Sequence, residues 1–186
     1  MKASELTVVL SDSYPQLQFK SAETYYWSPE NQTVYYKKND ASAHGSWSLL
    51  HEVAHGLLGH TKYYSDFELV RMEMEAWEKA KKLAGELQES LGAQSLEPGE
   101  ARDKPELRSQ NSELTINEDH IQDCLDSYRD WLHKRSLCPD CNLSSIQTDA
   151  HTYTCVFCDK KWHVTAERFC RPYRRSAPIP QPRNES

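Results

Sequence analysis

Within HEVAHGLLGH, residues 51 to 60, two histidines stand four apart with a glutamate after the first, and no other stretch restricts the fold as much. His51 and His55 share one face only if the segment is a helix, and the spacing lets both bind one metal ion. Glu52 is then placed to act as a general base on an attacking water. Two histidines do not complete such a site, because a catalytic zinc takes three protein ligands and keeps one position open. The motif therefore demands a two-faced helix and a second element packed beside it.

At about 100° per residue, the segment from Ser46 to Gly59 separates cleanly. Leu50, Val53, Ala54, Leu57 and Leu58 form an apolar side for a core, while His51, His55, Glu52, Ser48 and Gly59 share the remaining arc and face a cleft. The plainer alternative is a core helix with two hydrogen-bonded histidines and a solvated glutamate. His60 follows Gly59, a helix stop, and is not the third ligand. The next helix opens with a capping box, Ser65 to Glu68, and runs to about Leu87. On it Leu69, Ala76, Ala80, Leu83, Ala84 and Leu87 make one apolar face with Glu73 in its middle, whereas Glu75 lies on the polar side with Glu68, Arg71, Glu78 and Lys82. A carboxylate centred on a buried face is costly unless it is paired or binds a metal. Glu73 is the expected third ligand; an ion pair with a buried Lys or Arg is the alternative.

HEVAHGLLGH followed by a helix carrying Glu73, Ala76 and Ala80 resembles the ImmA/IrrE family of small metallopeptidases, and more broadly gluzincins, over roughly residues 30 to 84. The resemblance implies that His51, His55 and Glu73 bind a catalytic zinc with Glu52 as the base. The chain departs from the pattern at Trp77, where the family usually carries an Asn or Asp that would orient a zinc ligand from behind. SprT-like proteases are a weaker resemblance. They too pair this motif with a C-terminal zinc ribbon and act on proteins attached to DNA, but their third ligand is a histidine, and none lies between His60 and His120.

Upstream, YPQLQFKSAETYYWSPENQTVYYKK reads as two or three strands with a turn at Ser28 to Asn31. The last, Thr33 to Lys37, is expected at the sheet edge. Zincins resemble one another in presenting such a strand to an extended peptide substrate; a sheet that merely covers the helices is the equal alternative.

Far downstream, Cys138-Pro-Asp-Cys141 and Cys155-Val-Phe-Cys158 are separated by thirteen residues. Four thiolates on two knuckles can close a tetrahedral shell around a structural zinc, with short strands at His151 to Thr154 and Lys161 to Thr165 completing a ribbon. A redox dithiol would need only one such pair. Secreted disulfides are not expected, since MKASELTVVLSDSYP has no long apolar run. Cys124 falls on the apolar side of a helix with Ile121, Leu125, Tyr128, Trp131 and Leu132 and reads as a buried core thiol; Cys170 has no assigned role.

The expected fold class is α+β, a small zincin-like domain (an antiparallel sheet with an edge strand, an active-site helix and a ligand helix) followed by a four-cysteine zinc ribbon. Residues 1–91 are the core, 92–116 a flexible insert, 117–136 a helix packing on the core with Ile116 and Ile121 stapled around Asn117, 137–173 the ribbon and 174–186 a disordered tail. No stretch approaches eighteen apolar residues, so no membrane partner is expected, and the location is read as cytoplasmic.

From Lys134 onward nine Lys/Arg stand against five Asp/Glu, a balance of +4, which leaves −10 for the preceding part of a chain whose net charge is −6. Lys160, Lys161, Arg168, Arg171, Arg174 and Arg175 interleave with Trp162, Phe169 and Tyr173, a composition suited to phosphates and bases. A basic surface kept near the acidic body of the same chain is favoured slightly over nucleic acid.

The expected activity is that of a zinc-dependent endopeptidase acting on a protein or peptide, with one catalytic and one structural Zn2+; the family resemblance implies a regulatory protein as substrate. His60, Tyr63, Tyr64 and Tyr128 are candidates for an oxyanion or ligand-orienting group. The competing readings are a non-catalytic, zinc-stabilised regulatory or binding module and a DNA-associated SprT-like protease. Oligomeric state is not legible.

Overall fold

A computed structural model describes residues 2–94 and 114–164. They are mixed α+β, with helices α1 (Ala3–Ser13), α2 (Ala43–Leu57), α3 (Asp66–Gln94) and α4 (Glu118–Ser136), and strands β1 (Gln18–Ser21), β2 (Tyr26–Ser28), β3 (Thr33–Tyr36), β4 (Ile146–Asp149), β5 (Thr152–Thr154) and β6 (Lys161–His163). Among the described residues no helix is long and apolar enough to cross a membrane. Two units emerge. One runs to Thr61 and resumes from Glu75 to Asn117; the other takes Lys62–Met74 and continues from Glu118. The division falls inside the unbroken helix α3.

In the first unit, α2 packs on β2 and β3, and α1 lies against α2 and β1. In its core Leu6 and Leu10 of α1, Val34 of β3, and Leu49, Leu50, Val53 and Ala54 of α2 are fully buried. Ser42 starts α2 by accepting the Gly45 N–H at 3.0 Å, satisfying one orphan donor of the first turn. The helix stops in a Schellman motif: Gly59 takes φ +67°, its N–H reaches the Gly56 carbonyl at 3.2 Å, and the His60 N–H reaches the His55 carbonyl at 3.0 Å. Because the helix ends there, Leu58 leaves the apolar side assigned to it and is exposed.

The small sheet corrects one expectation. Its order is β1-β3-β2, with β1 parallel and β2 antiparallel to β3, so Thr33–Tyr36 is the central strand of a mixed sheet, and the edges are β1 and β2. Thr33 and Val34, on opposite faces of β3, are both fully buried, as a strand with neighbours on either side requires. Strand composition and turn signals locate strands but do not specify their order in a sheet. Tyr26 and Tyr35 pair across β2 and β3 with rings stacked at 4.3 Å.

In the second unit the start of α3 meets α4. Ser65 caps α3 by accepting the Glu68 N–H at 3.1 Å, but the Glu68 carboxylate reaches back one residue further than a regular capping box, to the Tyr64 N–H at 2.7 Å. Leu69, Tyr128 and Trp131 form a buried cluster with Tyr63, Val70 and Leu132 against it, which is where Trp131 finds its partner. Helix α3 also continues past Leu87 to Gln94. Cys124 is buried, as its helix position suggests.

The segment around the four cysteines forms the antiparallel sheet β4-β5-β6, in which β4 joins the two strands named from the sequence. It belongs to the same unit as α4. Asp66, the first residue of α3, accepts from the Tyr153 hydroxyl at 2.6 Å and lies 2.8 Å from Arg135 Nε, both partners being buried; the Trp162 indole donates to the Arg135 carbonyl at 3.2 Å. Arg135 also lies 4.0 Å over the Trp131 ring, a cation–π contact within the same buried patch. Most of the insert 92–116, together with Thr165, Arg168, Phe169, Cys170, Arg171, Tyr173, Arg174, Arg175 and the tail 174–186, lies outside the described residues.

Candidate metal centres

Helix α2 delivers His51 and His55 with their Nε2 atoms 3.1 Å apart. Two ligands about 2.05 Å from one tetrahedral metal would stand roughly 3.3 Å apart, so the separation fits a shared ion. The His51 ring stacks on Trp77 of α3 at 4.1 Å and 28°. One turn before Trp77 on that continuous helix is Glu73. It is 1% exposed, and one donor atom from each of His51, His55 and Glu73 lies within 4.8 Å of the others. All three side chains are buried. Two imidazoles and a carboxylate are a donor set suited to zinc, and three protein ligands are the number a catalytic site uses.

Glu52, the residue after His51 on α2, is held by β2. The Trp27 N–H donates to Glu52 Oε2 at 2.8 Å, and the Trp27 indole donates to the His60 carbonyl at 2.8 Å. Gly56, one turn after Glu52, gives the ring its place: a Cβ there would sit 2.9 Å from Leu17 Cδ2 and 3.1 Å from Trp27 Cζ3. Sequence reasoning missed Trp27. The only signal was the small residue at Gly56 beside the candidate base, which implies that something approaches closely.

His60 is also at this centre. Its Nδ1 lies 2.9 Å from His55 Nδ1, the nitrogen turned away from His51, and its Nε2 lies 3.3 Å from Glu75 Oε2. The sequence places Glu75 only on the polar side of its helix. The three tyrosines considered beside His60 fall in the second unit: Tyr128 is core, Tyr63 packs on that core, and Tyr64 is exposed at a cavity of about 560 Å³.

The second centre is formed by Cys138, Cys141, Cys155 and Cys158, all free thiols. The sulfur separations are 3.6 Å for Cys138 and Cys158, 3.5 Å for Cys141 and Cys155, and 3.8 Å for Cys141 and Cys158. A tetrahedron with metal–sulfur bonds near 2.3 Å has edges of about 3.8 Å, so one ion fits among the four sulfurs. Each knuckle turns through a left-handed residue directly after its second cysteine, Asn142 at φ 59° and Asp159 at φ 56°. Asn and Asp are the non-glycine residues that tolerate this region best.

Their protonation is uneven. The backbone N–H groups of Cys158 and Phe157 hold the Cys155 thiol down, at about 6. The Lys160 N–H favours a Cys158 thiolate, yet burial and the other sulfurs push that thiol up to about 12; Cys141 is raised likewise despite the Leu143 N–H. A divalent cation would take the place of the protons that these sulfurs share.

Beneath the site, Tyr153 stacks on Trp162 at 5.7 Å, and both pack with Cys138 and Cys155 in a small core. Trp162 is thus a core residue and not a platform for bases. Lys160 pairs with Asp140 at 3.7 Å.

Compared with models of protein families, with curated proteins and with solved structures, the chain matches none.

Proposed function

We propose that the chain is a zinc-dependent endopeptidase of the gluzincin type, akin to the ImmA/IrrE metallopeptidases. The observation that carries this reading is the convergence of His51, His55 and Glu73 within 4.8 Å, with Glu52 on the same helix as the two histidines. A zinc ion held by these three residues would polarise a peptide carbonyl and acidify a water. Glu52 would accept the proton of an attacking water as its oxygen bonds to the carbonyl carbon, and would return that proton to the amine nitrogen as the C–N bond breaks. The bond from the Trp27 N–H fixes the Glu52 carboxylate through Oε2. The four cysteines hold a second, structural zinc. A protein or peptide is the substrate class.

The test is a peptide-library digestion with zinc-loaded protein and its Glu52→Gln variant. Cleavage by the parent alone supports the proposal, and equal cleavage by both refutes the role of Glu52. Metal analysis should find two zincs, one lost on Glu73→Ala and the other on Cys138→Ser.

One observation favours a second reading. All three candidate ligands are buried and Glu52 already accepts from Trp27, as would suit a metal-stabilised regulatory module without turnover. Two bound zincs with no cleavage of any peptide would favour it. A DNA-associated, SprT-like protease would instead be marked by proteolysis that DNA stimulates.

A further inference from the structure

We propose that Glu75 and His60 form a positioning relay that orients His55 as a metal ligand. The inference rests on the metal site proposed above and assigns two residues outside its ligand set. It begins with the two nitrogens of the His55 ring. Nε2 faces His51 Nε2 at 3.1 Å, so it is the atom turned toward the metal position. Nδ1 faces His60 Nδ1 at 2.9 Å, and the far nitrogen of His60 faces Glu75 Oε2 at 3.3 Å.

Only one arrangement of protons satisfies all three contacts when Nε2 of His55 carries a metal. A neutral imidazole bound through Nε2 keeps its proton on Nδ1. That N–H donates to His60 Nδ1, which must then be unprotonated, so the His60 proton sits on Nε2 and donates to the Glu75 carboxylate. Each donor meets one acceptor along the row. A metal-ligating histidine ordinarily passes its second N–H to a carboxylate directly; here a second imidazole stands between them.

The backbone builds His60 into this place. Gly59 at φ +67° folds the chain back, the His60 N–H caps the His55 carbonyl at 3.0 Å, and the Trp27 indole holds the His60 carbonyl at 2.8 Å. The side chain of His60 is 9% exposed while that of Glu75 is 50% exposed, so the relay runs from the buried ligand to the surface. Since His60 meets the nitrogen of His55 that faces away from His51, the geometry makes it a positioning residue and not an oxyanion group.

The experiment is a Co2+ titration of the full chain in competition with a chelator, for the parent and for His60→Ala, His60→Gln, Glu75→Gln and His60→Ala/Glu75→Gln. The four-thiolate site announces itself by intense sulfur-to-cobalt charge transfer, and the His/His/Glu site by weak ligand-field bands, so the two affinities are read separately. Loss of an orienting partner typically weakens metal binding about 10- to 100-fold. His60→Ala should fall in that range at the His/His/Glu site alone. His60→Gln should recover part of the loss, because its amide can both accept from His55 and donate to Glu75. Glu75→Gln, an exposed substitution that leaves the fold intact, should weaken binding in the parent and add nothing once His60 is alanine. Unchanged affinity in His60→Ala, or equal effects of Glu75→Gln in both backgrounds, would overturn the relay. A parent that binds one metal, retained in His51→Ala, would instead refute the metal site on which the relay rests.

Discussion

Two glycines in helices make opposite predictions for the same substitution. Gly85 lies within α3, and a Cβ built there meets nothing within 4 Å. Gly85→Ala should therefore show the full gain in helix propensity, about 1 kcal/mol. Gly56 stands next to the last residue of α2, so its share of that gain is smaller, and its Cβ would come 2.9 Å from Leu17 Cδ2 and 3.1 Å from Trp27 Cζ3.

Carbon atoms pack at about 3.5–4.0 Å, so the neighbours of Gly56 must retreat by roughly half an ångström or more. Neither is free to do so. Leu17 is buried, and Trp27 is held at its amide by Glu52 and at its indole by the His60 carbonyl. Overpacking of this kind costs about 1–3 kcal/mol. Relief by moving Trp27 would instead sacrifice its bond to the Glu52 carboxylate, a loss of about 1.5–3 kcal/mol for a charged acceptor. Gly56→Ala should thus destabilise by about 1–2 kcal/mol, placing it some 2–3 kcal/mol below Gly85→Ala. Urea unfolding of zinc-saturated protein, read as a shift in midpoint at constant slope, measures the difference. A Gly56→Ala protein as stable as Gly85→Ala would refute the packing of Trp27 on α2.

Asp66→Ala should destabilise by about 3–5 kcal/mol in thermal or urea unfolding, because it strands the buried Arg135 guanidinium. Tyr153→Phe should cost less, about 1.5–3 kcal/mol for a hydrogen bond to a charged acceptor. Burial and the neighbouring Asp66 raise the Tyr153 hydroxyl above its ordinary 10.0, so the folded chain holds this proton where the unfolded chain releases it; stability should be level below pH 10 and fall above it, and the Phe variant should lose that decline. At the knuckles, Asn142→Gly and Asp159→Gly should be tolerated, whereas Val at either position should cost about 1–2 kcal/mol and weaken metal retention against a chelator. Metal affinity of the four-cysteine site should rise with pH, since Cys141 and Cys158 hold their protons without metal and must lose them to bind it; a flat profile in a chelator competition would refute this.

What could be read in the sequence was whatever lies within one element or one short repeat. The i, i+4 spacing of His51 and His55 needs only a helix, and the four sulfurs of Cys138, Cys141, Cys155 and Cys158 need only two knuckles. The partners of these groups were not legible in the same way. Trp27 reaches Glu52 from a strand twenty-five residues earlier, and its hydrogen bond uses the backbone, which carries no residue signature. Glu75 looks like any exposed carboxylate on a helical wheel, and becomes a partner only because the turn at Gly59 brings His60 to it. The order β1-β3-β2 is likewise set by which strands pair, while alternation in Thr33–Tyr36 specifies only which side chains share a face.

Two buried carboxylates on α3 show where that boundary lies. Glu73 and Asp66 are each 1% exposed, so each carries the same desolvation penalty and needs a positive or proton-bearing partner. Asp66 finds it in Arg135 and the Tyr153 hydroxyl; Glu73 stands with two histidines where a cation fits. Helical periodicity marks Glu73 as anomalous because the residues around it on the wheel are apolar. It passes over Asp66, because an aspartate in the first turn of a helix is favoured there anyway by the exposed N–H groups and the helix dipole. A charge is therefore conspicuous in sequence only where local structure gives it no other reason to be present. The buried pair of Asp66 and Arg135, sixty-nine residues apart, becomes apparent only once β5 brings Tyr153 to the same carboxylate.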